Sequence, residues 1–161
     1  MKHLWAPWRM AYIEQAHAKD DDCILCDKPG ETQDETNLIL FRGRFNFVIM
    51  NAFPYNSGHL MIAPFAHKAQ LSLLEVAARH EHFDIVSRCA DILKGAIGPA
   101  GFNIGLNLGR IAGAGVDRHL HTHIVPRWEG DTNFMPILAD ARVVNQALAD
   151  TYEYLRPFFQ T

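Results

Sequence analysis

The sequence predicts an α+β fold in which helices cover one face of an antiparallel sheet of five strands. Three observations carry that expectation. Runs of β pattern between residues 38 and 64 follow one another through loops too short for a helical crossover. A long stretch of helical period then spans Leu71 to Ile97. Two more β runs and a second helical pattern complete the chain.

Residues 1–30 form an N-terminal arm. Trp5, Trp8, Tyr12 and Ile13 lack a regular period but are costly to leave in water, so the arm is expected to pack on the body or on a partner subunit. Lys28-Pro29-Gly30 reads as a turn. The first strand is Leu38–Gly43. In the second, Phe45, Phe47 and Ile49 alternate with Asn46, Val48 and Met50. Pro54 and Asn56-Ser57-Gly58 break the pattern before the third strand, His59–Pro64. In the long helix Val76, Phe83, Val86, Ala90, Leu93 and Ile97 recur at helical spacing and mark the expected buried face, with Gly98-Pro99 ending it. A strand over Phe102–Leu108, a loop rich in glycine and alanine over 110–117, and a strand from Arg118 to Val125 closed by Pro126 follow. Asp140 suits an N-cap, and Val143, Ala147 and Tyr154 keep helical spacing. No repeat, linker or low-complexity stretch intervenes, so 1–161 is expected to be one domain, with the arm over 1–30 and the C-terminal helix and tail over 140–161.

The composition, with 48% apolar and 20% charged residues, suits a chain that buries a proper core, and argues against a disordered or fibrous one. A net charge of −3 leaves no field to draw nucleic acid, so any anionic ligand must be held by local donors. The first ten residues lack the apolar run of a signal peptide, and nowhere is an apolar run long enough to span a membrane, so a cytoplasmic protein is expected. Three cysteines cannot all pair within one chain, and Cys23-x-x-Cys26 has a spacing typical of metal or redox chemistry, which favours a reducing compartment.

The unusual count is nine histidines. His119, His121 and His123 alternate along one expected strand, so their rings share a face while Leu120, Thr122 and Ile124 take the other. Three imidazoles on one side are not a hydrophobic stripe, because each ring needs hydrogen-bond partners when buried. A polar exposed strand face and a metal site made by all three are the other readings of the row. Cys89, at a helical core position, reads as a small hydrophobe. His3, His17, His80 and His82 read as solvent-facing.

The segment HLHTHIV resembles the signature of the histidine triad (HIT) family, His-φ-His-φ-His-φ-φ with φ apolar, except that Thr122 replaces one apolar residue. Asn51 followed by His59 in NAFPYNSGH is similar to the family's paired strand and turn. LWAPWRMAYI, GLNLGRIAGAG and VPRWEGDTNFMPIL are similar to the branch that contains diadenosine tetraphosphate phosphorylases and related hydrolases, and the likeness covers nearly the whole chain. It implies the same α+β fold, a homodimer, and an enzyme that transfers or hydrolyses the nucleotidyl group of an adenine dinucleoside polyphosphate. A phosphoramidase of AMP conjugates and a non-catalytic nucleotide-binding module are the alternatives.

The resemblance also implies roles. His121 would attack the α-phosphorus to form a nucleotidyl-histidine, a role that imidazole suits when its second nitrogen is held by a carbonyl. His123 would touch phosphate oxygens or the leaving group. Asn51 maps to the residue that holds the ribose hydroxyls, Asn107 to one near the α-phosphate, and His59 to the matching turn. Gly113, Ala114 and Gly115 are expected to aim backbone N–H groups at phosphate. Several relatives carry a Ser or Gln just before the triad, whereas this chain has Gly115-Val116-Asp117-Arg118, so that side-chain donor is missing. Cys23 and Cys26 supply half of a tetrahedral zinc site. The family pattern implies His67 and His119 as the other two ligands, with zinc in a structural role and no organic cofactor. Phe47 and Ile49 are the kind of apolar residue from which an adenine pocket is made, and Trp128 and Phe134 would suit a dimer contact.

Overall fold

The computed structural model describes residues 23–131 and 147–160; the arm's aromatic residues, His3, His17, Phe134, Asp140 and Val143 lie outside them. Five strands, β1 (Ile39–Arg42), β2 (Asn46–Met50), β3 (Leu60–Pro64), β4 (Gly101–Leu106) and β5 (Thr122–Arg127), form one antiparallel sheet in the order β1-β2-β3-β5-β4. Two short helices precede it, α1 (Ile24–Gly30) and α2 (Asp34–Asn37). The long helix α3 (Val76–Ile97) lies between β3 and β4, and α4 (Leu148–Phe159) ends the described chain. No helix among the described residues is long and apolar enough to cross a membrane.

Period-two alternation sends Val48, Met50, Leu60, Ile62 and Ile124 to one face of the sheet, where they pack against Ile85, Val86, Cys89 and Leu93 of α3 and Tyr152, Leu155 and Phe159 of α4. The Tyr152 hydroxyl donates to the Ile39 carbonyl at 3.0 Å, tying α4 to the edge strand. The opposite face is covered as well: Leu25 of α1 packs on Ile39, Phe47, Ile49, Met61 and Ala63. This second layer is why all of β2 is buried. It also places Phe47 and Ile49 in the core rather than on a ligand surface.

Several boundaries differ from expectation. Lys28-Pro29-Gly30 closes α1 instead of forming a free turn. Leu71–Leu73 forms a separate 3-10 turn before α3. In α3 the buried face is Ala78, His82, Ile85, Val86, Cys89 and Leu93, while Val76 and Phe83 are exposed. The true stripe contains a histidine, which hides it from a hydrophobic-period reading. β5 starts later than expected and runs through Pro126, whose carbonyl accepts from the Asn56 side chain on the side where β3 has ended. Proline is tolerated there because no ladder partner needs its missing N–H.

Candidate active site and metal centre

His123 lies in β5, opposite Met61 and Gly105, and its ring projects onto the sheet face that α1 partly covers. His121 and His119 precede the ladder. His119 is buried, and its Nε2 donates to the Pro64 carbonyl at 2.8 Å. A carbonyl only accepts, so in the neutral ring Nδ1 keeps its lone pair. That Nδ1 is 3.4 Å from Cys23 Sγ and 3.4 Å from Cys26 Sγ, while His67 Nδ1 is 3.1 Å from Cys26 Sγ. The four ligand atoms lie within 4.8 Å of one another. A tetrahedron with zinc-to-ligand bonds of the usual length has edges of about 3.5 Å, so the set fits zinc in chemistry and spacing. Burial and the neighbouring Cys23 push the Cys26 thiol up to about 11, a penalty that a bound cation would reverse.

His121 shows the opposite tautomer. Its Nδ1 donates to the His119 carbonyl at 2.8 Å, which leaves the Nε2 lone pair for chemistry. Burial holds its basicity below the usual histidine range, only partly offset by that hydrogen bond, so the neutral nucleophilic form is favoured. The His121 and His123 rings meet edge to face with centroids 4.9 Å apart.

A third chain of hydrogen bonds sets His123. The Tyr55 N–H donates to His59 Nδ1 at 3.0 Å, and His59 Nε2 lies 3.0 Å from His123 Nδ1. With neutral rings the only consistent arrangement puts a proton on His59 Nε2 and leaves His123 protonated at Nε2, a donor. The Tyr55 ring stacks on His59 with centroids 5.0 Å apart. Beside His123 opens a cavity of about 330 Å³ lined by Tyr55, Asn103, Asn107 and Arg127.

The other expected site residues fall unevenly. Asn51 is half-buried at the end of β2, its Oδ1 accepting the Phe53 N–H at 2.9 Å. In the glycine loop, Gly113 N–H donates to the Arg110 carbonyl at 3.0 Å and Ala114 N–H to the Gly109 carbonyl at 3.4 Å. Two of the three amides expected to cradle phosphate are thus engaged in the loop's own turn; Gly115 is the position that turn does not use. His80 is exposed as expected. His82 is not: it is fully buried, with both ring nitrogens hydrogen-bonded. Arg127 and Asn103 were not anticipated either; their signal is the spacing of four residues from His123 and two from Gly105 along the strands.

The HIT domain model matches residues 31–130. The chain belongs to the HIT family. It is 35% identical to the AP-4-A phosphorylase of Mycobacterium tuberculosis, over 96% of this chain and 83% of that one. It is 34% identical to an adenosine 5'-monophosphoramidase of Schizosaccharomyces pombe, over 65% of this chain and 74% of that one. The fold matches the crystal structure of a Zn-bound histidine triad family protein from Mycobacterium smegmatis with TM-score 0.68 and 20% identity, covering 86% of this chain and 94% of that one.

Proposed function

We propose that the protein is a nucleotidyl-transferring enzyme that cleaves adenine dinucleoside polyphosphates through a nucleotidyl-His121 intermediate. The observation that carries this reading is the hydrogen bond from His121 Nδ1 to the His119 carbonyl, which presents a neutral Nε2 lone pair beside a His123 that can donate. The 35% likeness to an AP-4-A phosphorylase over most of both chains supports the substrate class.

In the first step His121 Nε2 bonds to the α-phosphorus, and the bond from phosphorus to the bridging oxygen breaks. The oxygen leaves with the electron pair as the terminal oxygen of a nucleotide. Such an anion needs a hydrogen bond rather than a proton at neutral pH, and His123 Nε2–H supplies one. In the second step an oxygen of the acceptor bonds to phosphorus and the lone pair returns to Nε2. An already ionised acceptor, inorganic phosphate, requires no base. A site with one neutral imidazole donor and no Ser or Gln before the triad therefore favours phosphorolysis, giving ADP and ATP from diadenosine tetraphosphate. Asn51, Asn107 and Gly115 line the nucleotide path in this reading.

Cys23, Cys26, His67 and His119 would hold zinc in a structural role, in which it would cross-link α1 to the segment before β5. We place the whole of 1–161 in one domain. We also assign a homodimer, because β4 is an edge strand with Ile104 exposed; sedimentation at the mass of a single chain would overturn that assignment. The central test is brief incubation with diadenosine tetraphosphate, quenching without acid, and intact-mass measurement. A nucleotidyl adduct is expected on the wild type and none on His121→Ala. Absence of adduct together with an active His121→Ala overturns the covalent mechanism. Equal turnover with and without inorganic phosphate overturns phosphorolysis.

A further inference from the structure

Pairing of β5 on both sides begins at Thr122: Thr122 faces Ile62 on one neighbour and Leu106 on the other, and both ladders end there. His121 therefore sits one residue beyond the paired strand, between the ladder and Leu120, whose N–H donates to the Lys68 carbonyl at 2.6 Å. Thr122 points to the opposite face from the histidines, and its Oγ1 lies 2.7 Å from His82 Nε2 of α3. His82 Nδ1 lies 2.9 Å from Asn46 Oδ1. Asn46 Nδ2 in turn donates to the Ala78 carbonyl at 3.0 Å and to Glu81 Oε2 at 2.8 Å. Glu81 also accepts the N–H groups of Arg44 at 2.7 Å and Phe45 at 2.8 Å.

The chemistry of the partners orders every proton in this chain. Because the Asn46 amide nitrogen is the donor to Glu81, Asn46 Oδ1 must accept, so His82 carries its proton on Nδ1 and Thr122 donates to Nε2. Burial keeps His82 neutral, pushing it down to about 4. Asn46, His82 and Thr122 are all fully buried, so the chain has no water to compete with it. It also explains the departure at Thr122 from the apolar position of the family signature. None of these groups reaches the face that carries His121 and His123, so they do not touch substrate.

We propose that the Thr122–His82–Asn46–Glu81 chain is a positioning device that pins the first paired residue of β5 to α3 and thereby holds His121 and His123 at reacting spacing. Its rate readout rests on the nucleotidyl-transfer reading. Misplacing a reacting group by about 1 Å from a distance can cost up to about 100-fold in rate.

The test compares two small variants of the full-length protein. Thr122→Val keeps the shape and removes the hydroxyl; Thr122→Ser keeps the hydroxyl and removes the methyl. If the hydroxyl positions the strand, kcat falls about 10-fold to 100-fold in Thr122→Val with KM little changed, and Thr122→Ser recovers most of the rate. If Thr122 only fills space the order reverses, because Ser leaves a void and Val does not. Ring-nitrogen NMR of His121 and His123 supplies a readout that needs no turnover. Altered tautomer signals in Thr122→Val, and wild-type signals in Thr122→Ser, support the device. Wild-type kcat or wild-type ring signals in Thr122→Val overturn it. A wild type that does not turn over dinucleoside polyphosphates defeats the functional reading, and the NMR comparison then judges the positioning alone.

Discussion

His119 and His121 stand two residues apart, are both buried, and each give one ring proton to a backbone carbonyl, yet they present opposite nitrogens. His119 donates from Nε2 to Pro64 and turns Nδ1 toward Cys23, Cys26 and His67. His121 donates from Nδ1 to His119 and turns Nε2 outward. A carbonyl, by choosing the tautomer, decides which nitrogen of each ring keeps the lone pair that ligation or attack would need. It also links the two sites, since the carbonyl that sets His121 belongs to His119 of the candidate metal cluster.

The two centres separate most sharply when each loses one key side chain. His121→Ala is expected to lose on the order of 10³-fold or more in kcat/KM while retaining one zinc per chain by metal analysis. Cys23→Ala should do the reverse in kind. Stoichiometric zinc is lost, and with it the stabilisation of a ligand present far above its Kd, about 4 kcal/mol at a thousandfold excess. Thermal melting reads that loss; wild-type zinc content and melting in Cys23→Ala would remove the metal claim. Activity should drop less than in His121→Ala, because the His119 carbonyl remains in the chain.

A smaller effect comes from the pair that sets His123. In His59→Phe a ring still fills the site under Tyr55, but nothing protonated faces His123 Nδ1, and His123 is released to the tautomer that cannot donate outward. The expected loss is about 10-fold to 100-fold in kcat, below that of deleting an oxyanion donor outright. The adduct should still form in the intact-mass assay, more slowly. A wild-type rate would show that the His59 to His123 hydrogen bond does not matter for turnover.

How much of this was legible in the sequence follows the range of the interaction. The histidine row, the Cys-x-x-Cys pair and the antiparallel order rest on local spacing, which a period of two or a tight turn writes directly into neighbouring residues. His82 was misread because its burial depends on Asn46 and Thr122, 36 and 40 residues away in sequence. Its helix hides a polar group within the buried stripe, so Val76 and Phe83 offered a cleaner but wrong face. Asn46 within an apolar strand and Thr122 within an apolar signature were the visible traces. Each is an ordinary residue alone, and only the fold brings them to one point. In the glycine loop the composition permits an anion nest, while the hydrogen bonds that Gly113 and Ala114 make to Arg110 and Gly109 depend on the loop's turn, which composition does not specify.

His82 supplies the third term of the comparison, a histidine with both nitrogens occupied and none left for a metal or a phosphorus. The effect of its own titration is on stability and is the smallest expected. Burial lowers its pKa from the ordinary 6.5 to about 4, so above pH 6.5 the ring is neutral in the folded and unfolded chain alike and the network is intact. As pH falls from about 6.5 toward 4 the unfolded chain takes up a proton that the native state refuses, and stability drops by at most about 1.4 kcal/mol per pH unit. His119 and His121, also lowered by burial, add loss of the same sign, which is why the wild type alone is not diagnostic. His82→Gln removes one titrating site and keeps the others. Urea midpoints measured between pH 7.5 and 4.5 should therefore fall less steeply for His82→Gln than for the wild type, by about 2 kcal/mol across the range, even though the variant starts lower. Parallel curves would mean that His82 accepts its proton in the folded state, and the ordered hydrogen-bond chain from Thr122 to Glu81 would have to be redrawn with His82 donating from both nitrogens.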